Sequence, residues 1–314
     1  MRIAPSLALL AMAVACSLLT GPAQAALRDR VFVASYGSDS NPCTFGSPCK
    51  TFQNALNAVA PGGEITAIDS AGFGPVFISQ AVTITSPNGV EAGIAAAAGG
   101  NAVTIQAGLN DTVVLSGLTL EGAQSGTYGV YFAQGARLEI VNCTIRNYTT
   151  TGINFVPEAS AVLNVTNTVI SDNAGYGISL NPDEAGSSIT AALNNVTINN
   201  NGTGVLVYGA ESPIEVSITN SHIDNNLSTG VDAIGFSSNL VSVILKAVTL
   251  NQTNIGISVE SNASVWLSRV TQTSASGFSS TGVNITGSNN AVYTDNTNHL
   301  MGAIVGNLTA WPPQ

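Results

Sequence analysis

Four residues in the second half of the chain carry side chains that can exchange protons. His222 and Asp224 are two residues apart, and Asp232 and Glu260 each follow a repeated glycine. Two carboxylates about 5 to 9 Å apart can share acid and base roles on a glycosidic bond. Carboxylates beside Asn284 also suit Ca²⁺, although nothing in the sequence requires a metal or another cofactor. These four residues are therefore candidate catalytic residues, and the alternative is an ordinary solvated polar face.

Tyrosines and asparagines form a second set of candidates, for ligand binding. Flat tyrosine rings stack on sugar faces, and their hydroxyl groups offer hydrogen bonds that neighbouring amides extend. The alternative is aromatic packing beside turns. The candidate binding residues are Tyr131, Tyr176, Tyr208, Asn154, Asn181 and Asn284.

An internal repeat must position both sets. A glycine followed by Val or Ile recurs at intervals of 23, 25, 27, 26, 26 and 26 residues, at Gly129, Gly152, Gly177, Gly204, Gly230, Gly256 and Gly282. Polar and apolar residues alternate within each unit, which indicates short strands. A unit of roughly 25 residues cannot bury its own apolar face, so successive units must stack with their backbones paired about 4.8 Å apart. The sequence therefore predicts an all-β protein, a parallel β-helix.

Asparagines mark the bends of this predicted solenoid. One series is Asn142, Asn167, Asn195 and Asn220, and it ends at Ala247 and Arg269. A second series follows the next strand, at Asn147, Asn173, Asn200, Asn201, Asn225 and Asn226. Asparagine tolerates the left-handed backbone of a tight turn, and stacked amides can bond to one another. We therefore expect an asparagine ladder at the first bend and a second asparagine-rich turn after the next strand.

The ends of the chain differ from the repeat. Residues 49–59, CKTFQNALNAV, carry apolar residues at helical spacing, and we expect them to form a helix that caps the first coil. The expected organisation is a signal peptide over 1–25, an N-terminal strand, disulfide loop and helix over 26–64, coils over 65–290 and a C-terminal cap over 291–314.

The N-terminus predicts export. Arg2 is followed by an apolar stretch and by Ala23-Gln24-Ala25, a small-x-small cleavage signal. The mature protein is then secreted or periplasmic, without an integral membrane span. Lipidation of Cys16 is an alternative. In an oxidising compartment we expect Cys43 and Cys49 to form a disulfide, against the alternative of two free thiols, and Cys143 to be a buried free cysteine.

The net charge of the mature chain limits the kinds of partner that it can bind. Loss of Arg2 leaves 7 of the 8 basic residues against 18 acidic ones, a net charge of −11. Such a chain repels nucleic acid and anionic membranes. A lyase would need cationic groups around a uronate, whereas the basic residues are scattered along the sequence. The two that come closest to forming a cationic pair are Lys246 and Arg269, which lie near the end of equivalent strands one coil apart.

The segment from Arg30 to Ile65, with GSDSNP, KTFQNA and a Pro-Gly-Gly turn, resembles the opening of right-handed parallel β-helix proteins of the pectin-lyase-like superfamily. The repeated N-x-T-I and G-I pattern is similar to their coils. The resemblance implies the right-handed fold, and it implies that the strand at each repeated glycine floors a polysaccharide groove. It also spans lyases, hydrolases, epimerases and tailspike proteins.

The sequence lacks the local catalytic motifs of the enzymes in this superfamily. There is no paired-Asp segment followed by G-H-G and R-I-K, no W-x-D-H and no Y-G-x-D-P-H. This favours an exported protein that binds polysaccharide along its long face without catalysis. A polysaccharide lyase, glycoside hydrolase or epimerase is the first alternative, and an adhesion module that binds protein is the second. The sequence leaves the oligomeric state open.

Overall fold

The computed structural model describes residues 27–311 apart from 184–185, 211, 237–239 and 274–280. The predicted signal peptide, its cleavage site and Cys16 lie outside these residues. One helix, α1 (Phe52–Ala58), interrupts a succession of strands. The strands up to the first regular coil are β1 (Arg28–Val33), β2 (Val59–Ala67), β3 (Ala71–Gly72), β4 (Val76–Ile78), β5 (Val82–Thr85), β6 (Ala92–Ala95), β7 (Asn101–Gln106), β8 (Thr112–Ser116) and β9 (Leu118–Glu121).

The regular coils follow in groups of two or three strands. They are β10 (Tyr128–Gln134), β11 (Arg137–Val141), β12 (Thr144–Arg146), β13 (Thr151–Phe155), β14 (Ala161–Thr166), β15 (Val169–Ser171), β16 (Tyr176–Leu180), β17 (Ile189–Asn194), β18 (Thr197–Asn199), β19 (Thr203–Gly209), β20 (Ile214–Asp224), β21 (Thr229–Gly235), β22 (Val241–Asn251), β23 (Ile255–Glu260), β24 (Ala263–Ser268) and β25 (Thr271–Thr273). The last are β26 (Thr281–Thr286), β27 (Ala291–Thr294), β28 (His299–Leu300), β29 (Ala303–Val305) and β30 (Leu308–Ala310).

These strands stack in parallel into two sheets, so the predicted all-β solenoid is confirmed. A ten-stranded sheet takes one strand per coil, from β4 to β29, and a twenty-stranded sheet takes the others. The register keeps equivalent repeat positions side by side: Tyr131 pairs with Asn154, and Leu206 pairs with Asp232. Each outward position of the repeat therefore becomes a column that runs along the solenoid.

The core consists of the residues that alternate with these columns. Val205, Val231 and Ile257 follow successive repeat glycines, and each is 0% exposed. The aromatic rings of Phe132 and Phe155 stack with centroids 4.3 Å apart inside neighbouring coils. Burying one such apolar side chain contributes about 1.5–3 kcal/mol, and the sum along the solenoid exceeds what any isolated coil could provide.

The first turn in each coil is the predicted asparagine bend. Asn167 and Asn195 have φ angles of 50° and 53°, and the amide of Asn195 donates to Oδ1 of Asn167 at 2.7 Å. The left-handed backbone continues at Ala247 (φ 55°) and Arg269 (φ 53°), where the sequence no longer supplies asparagine. The stacking of the coils thus sets the geometry of this turn. The amide ladder adds hydrogen bonds only in the coils that supply asparagine, which end at Asn220.

The second turn contains two columns. Its outer residue has a left-handed backbone, as at Asn200 (φ 56°). The next residue points into the solenoid, where Asn173, Asn201 and Asn226 are 1%, 2% and 0% exposed. Nδ2 of Asn173 donates to Asn201 at 2.9 Å, and Nδ2 of Asn201 donates to Asn226 at 3.1 Å. Tyr148 occupies this inner column one coil earlier.

The N-terminal helix covers the first coil as expected, although it spans 52–58 and not 49–59. Thr51 caps it by accepting a hydrogen bond from the backbone N–H of Asn54 at 3.1 Å, and Phe52, Ala55 and Leu56 form its buried face. The chain re-enters an extended conformation at Val59, before Pro61. A cap of this kind is what an open solenoid end needs.

The cysteines behave as the sequence predicts. Cys43 and Cys49 form a disulfide across six residues, so the alternative of free thiols is wrong. Cys143 is free and buried, and burial raises the pKa of its thiol to about 11. It lies directly after the Asn142 turn, in the core.

The C-terminal segment differs from the predicted cap over 291–314. Its described strands, β27 to β30, pair in parallel with the coil before them and continue the solenoid. Met301, Ile304 and Val305 are 44%, 44% and 46% exposed, because their coil has a neighbour on one side only within the described chain. No helix in the described part of the chain is long and apolar enough to cross a membrane.

Candidate functional site

The outward surface of the ten-stranded sheet holds two columns of side chains in register. The first contains Tyr131, Asn154, Ser179, Leu206, Asp232, Ser258 and Asn284. The second begins beyond β16 at Asn181 and continues through Tyr208, Ile234, Glu260 and Thr286. Neighbouring members of a column are about one strand spacing, roughly 4.8 Å, apart. Chemistry on this surface is therefore decided by which residue each coil contributes.

The repeated glycine allows the coils to approach closely at the entrance of these strands. A Cβ atom on Gly204 would lie 2.5 Å from the carbonyl oxygen of Gly230, and one on Gly230 would lie 2.7 Å from that of Gly256. Real Cβ atoms do not come that near a backbone oxygen. The glycine thus fixes the spacing of the coils and the register of the columns that follow it.

Asp232 is the most unusual side chain in the first column. It lies between Leu206 and Ser258, and its Oδ1 atom is buried without a hydrogen-bond partner among the described residues. Burial raises the pKa of the Asp232 carboxyl, a side-chain hydrogen bond with Ser258 lowers it, and the charge of Glu260 raises it. An acid held in this way keeps its proton to a higher pH than an exposed aspartate.

Glu260 lies one coil further on, on a diagonal from Asp232. Glu260 pairs with Ile234, while Asp232 pairs with Ser258. Residues on such a diagonal have their backbones about 7–8 Å apart, so the two side chains start at that separation. The hydroxyl of Ser258 donates to Oε1 of Glu260 at 3.5 Å. The structure brings these two candidate residues together on one face, with a serine beside both.

His222 and Asp224 lie elsewhere, on the twenty-stranded sheet. Nδ1 of His222 is 2.6 Å from the hydroxyl of Thr249, and Oδ1 of Asp224 accepts a hydrogen bond from the backbone N–H of Asn251 at 3.1 Å. Burial raises the pKa of Asp224, while hydrogen bonds from Asn251 and the charge of His222 lower it.

The four candidate catalytic residues therefore form two separate pairs. The turn that links the two sheets places Asn226 inside the solenoid, so one pair precedes this corner on the twenty-stranded sheet and the other follows it on the ten-stranded sheet. No hydrogen bond or ion pair joins His222 or Asp224 to Asp232 or Glu260 among the residues described. Proximity along the chain does not become proximity in space at this corner.

The tyrosines divide between two positions. Tyr131 stacks on Tyr128 with ring centroids 5.5 Å apart, and Tyr208 meets the ring of Phe236 edge-on at 5.1 Å. Tyr176 is half-buried at the start of its strand, beside Thr151 and Thr203. Tyr131 and Tyr208 thus belong to the columns, and Tyr176 lies at the edge of the sheet.

The amide candidates also lie on this side of the solenoid. Asn154 pairs with Tyr131 and Ser179, and Asn284 pairs with Ser258. Asn181 is the first residue after β16, and its backbone N–H donates to the carbonyl of Phe155 at 3.1 Å. All six candidate binding residues are therefore arranged along one face or its edge.

Two acidic residues near Tyr131 were not apparent from the sequence. Burial raises the pKa of the Tyr131 hydroxyl, and the charges of Asp183, Tyr128 and Glu158 raise it further. Asp183 and Glu158 lie in the loops after β16 and β13, outside the periodic part of each unit. Periodicity could not identify them, because a loop residue has no fixed place in the repeat.

The structure also shows features away from this face. Trp266 stacks on Tyr293 with centroids 5.2 Å apart on the twenty-stranded sheet, beside Ile244, which is 39% exposed. Two adjoining depressions of about 360 and 310 Å³ lie along the second turn, where both are lined by Asn173, Ala174 and Asn200. Among the described residues no group of three or more His, Cys, Asp or Glu side chains is arranged to hold a metal ion.

Comparison with known proteins identifies the class first. Residues 88–243 match the family model for the right handed beta helix region. The crystal structure of pectate lyase Pel9A aligns with a TM-score of 0.62 and 15% identity, over 92% of this chain and 80% of that one. The enzymatically active domain of bacteriophage CBA120 tailspike protein 2 aligns with a TM-score of 0.46 and 14% identity, over 86% of this chain and 47% of that one.

These findings agree on the fold. The family model, the pectate lyase neighbour and the parallel solenoid fit a pectin-lyase-like right-handed β-helix protein. The search of curated proteins found no match.

Proposed function

We propose that this protein is exported and binds polysaccharide along the outer face of the ten-stranded sheet, without catalysis. The observation that carries the proposal is the pair of registered columns, in which each coil places one outward side chain in line with those of its neighbours, tyrosine, asparagine and serine among them. A polymer lying along the solenoid therefore meets one outward side chain of each column at every coil. The similarity of the fold to a pectate lyase supports a polysaccharide as the partner.

The two half-buried tyrosines of the columns, Tyr131 and Tyr208, provide the binding free energy. A sugar ring that stacks on Tyr131 or Tyr208 buries apolar C–H surface, and the phenol hydroxyl and nearby amides take its hydroxyl groups. Asn154 lies beside Tyr131 in the same column, at hydrogen-bonding reach of a sugar on that ring.

Mature protein, residues 26–314, is titrated with a panel of soluble polysaccharides, and affinity is measured by gel retardation and calorimetry. For the polymer that binds, Tyr131→Ala and Tyr208→Ala should each weaken binding about five- to tenfold, since an aromatic contact contributes about 1 kcal/mol beyond its buried area. Tyr293→Ala on the other sheet is the matched control and should bind as the wild type does. Equal losses in all three variants would contradict the assignment of the face.

A second candidate function, hydrolysis or elimination of a glycosidic bond, is favoured by the Asp232–Glu260 pair. A partly buried acid with a raised pKa beside a second carboxylate is an arrangement that can divide acid and base roles. New reducing ends from any polymer, lost in Asp232→Asn and retained in Asp224→Asn, would replace the binding proposal with this one. Neither binding nor cleavage across the panel would favour the protein-binding alternative.

Export is tested separately. The mass of the protein recovered from an expressing bacterium should correspond to a chain that begins at Ala26, because cleavage after Ala25 fits the signal. Recovery of the uncleaved chain in the cytoplasm would contradict it.

A further inference from the structure

We propose that the outer face of the ten-stranded sheet selects uncharged polysaccharides and excludes polyuronates. The inference rests on the proposed function and adds the substrate class to it. It is carried by the way the charged side chains are divided between the two sheets, and not by any one residue.

Positive charge is confined to the other parts of the molecule. The Lys and Arg residues that the structure describes all lie on strands of the twenty-stranded sheet, at its turns or in the N-terminal loop, and they are Arg28, Arg30, Lys50, Arg137, Arg146, Lys246 and Arg269. Several are also engaged by carboxylates there. Arg30 pairs with Glu64 at 2.6 Å and Arg146 with Glu121 at 2.8 Å.

The proposed binding face, in contrast, carries acidic side chains without a described Lys or Arg among them. Asp232 and Glu260 occupy the two outward columns. Glu158 and Asp183 follow two of the strands, close enough for their charges to raise the pKa of Tyr131. A uronate polymer carries one negative charge per sugar, so several of its carboxylates would face these groups without a cation between them. Like charges at such distances oppose binding, and the burial of Asp232 weakens the screening by salt.

An uncharged polymer meets the same side chains favourably. Sugar hydroxyls donate to carboxylate oxygens, which are strong acceptors, and Asp232 lies in the first outward column as a half-buried carboxylate. Tyr208 and the adjoining Leu206 and Ile234 supply apolar surface beside that carboxylate. The face thus combines acceptors and rings, which suits hydroxyl-rich neutral sugars.

The test compares neutral glucans, mannans and galactans with polygalacturonate and alginate, each at low ionic strength with EDTA and again with added Ca²⁺. We expect at least one neutral polymer to bind and the polyuronates not to bind in either condition. Binding of a polyuronate as tight as that of the best neutral polymer, in either condition, would overturn the inference and leave the proposed function standing. Failure of every polymer would overturn the proposed function itself.

A charge-removal variant tests the cause. Asp183→Asn, Asp232→Asn and Glu260→Gln together should raise polygalacturonate affinity about tenfold or more at low ionic strength, and the gain should shrink in about 1 M salt, where the screening length is roughly 3 Å. The matched control changes the same number of charges away from this face, at Glu139 and Glu215 on the other sheet and at Glu91 just before β6, each to Gln. An equal gain in the control would attribute the effect to net charge and refute selection by this face.

Discussion

Gln272 occupies a position at which the stacked coils otherwise bury an aliphatic side chain. Its neighbour in the previous coil is Leu250, and earlier coils place Ile198 and Ile223 there. Gln272 is 2% exposed, and its Oε1 has no hydrogen-bond partner among the described residues. A buried acceptor left unpaired costs about 1–3 kcal/mol. Gln272→Leu should therefore stabilise the C-terminal coils by about 1–3 kcal/mol, because leucine is already accommodated at the equivalent position one coil earlier, Leu250.

The assay must read these coils separately, because a solenoid does not have to unfold in one step. Hydrogen exchange of amides in β23 and β26 should slow in Gln272→Leu by about tenfold or more, as 1.4 kcal/mol corresponds to a factor of ten. The reciprocal variant Leu250→Gln should speed exchange in the neighbouring strands. Faster exchange in Gln272→Leu would refute the reasoning, since it would mean that the amide makes a stabilising bond.

Three further outcomes are expected. Ala247→Asn should raise stability to denaturant by up to about 1 kcal/mol, because asparagine tolerates the left-handed backbone at this turn and meets Asn220; a loss would contradict this. Asn201→Leu should lower stability by at least about 3 kcal/mol, because it interrupts the buried amide ladder, and unchanged stability would refute the ladder's role. The pKa of Asp232 is raised in the folded protein, so ionisation of this carboxyl lowers the free energy of unfolding as the pH rises from its unfolded pKa to its folded pKa. Asp232→Asn should remove this pH dependence, and the variant should be more stable than the wild type at neutral pH, as denaturant unfolding at several pH values would measure.

The sequence predicted the fold well because a solenoid repeats its constraints. Gly204, Ile223 and Asn195 each have equivalents in neighbouring units, so one correctly interpreted unit gave the strands, the register and the first turn. The exceptions lie where repetition ends. The last coil, with Ile304, obeys the pairing of the sheet, but a sequence that has lost its glycine and asparagine signals could not show this.

The candidate site was predicted less completely, for a geometric reason. Asp232 and Glu260 share a face because both follow a repeat glycine, which the sequence shows directly. His222 and Asp224 precede the corner formed by Asn226, and the sequence does not reveal the angle between the sheets. Spacing along the chain predicts contact between residues on one face of a strand, whereas the turn between β20 and β21 carries the chain from one sheet to the other.

Residues that depart from the repeat are the best indication of function in a protein of this kind. Inward positions must be apolar and turn positions must accept a left-handed backbone, so residues such as Val231 and Asn220 report the fold alone. Outward positions have no such requirement, and a partly buried carboxylate beside Leu206 costs stability that the fold does not need. Asp232 is therefore the side chain whose presence a ligand would explain, and it is the position at which binding, catalysis and charge selection can be separated by one set of variants.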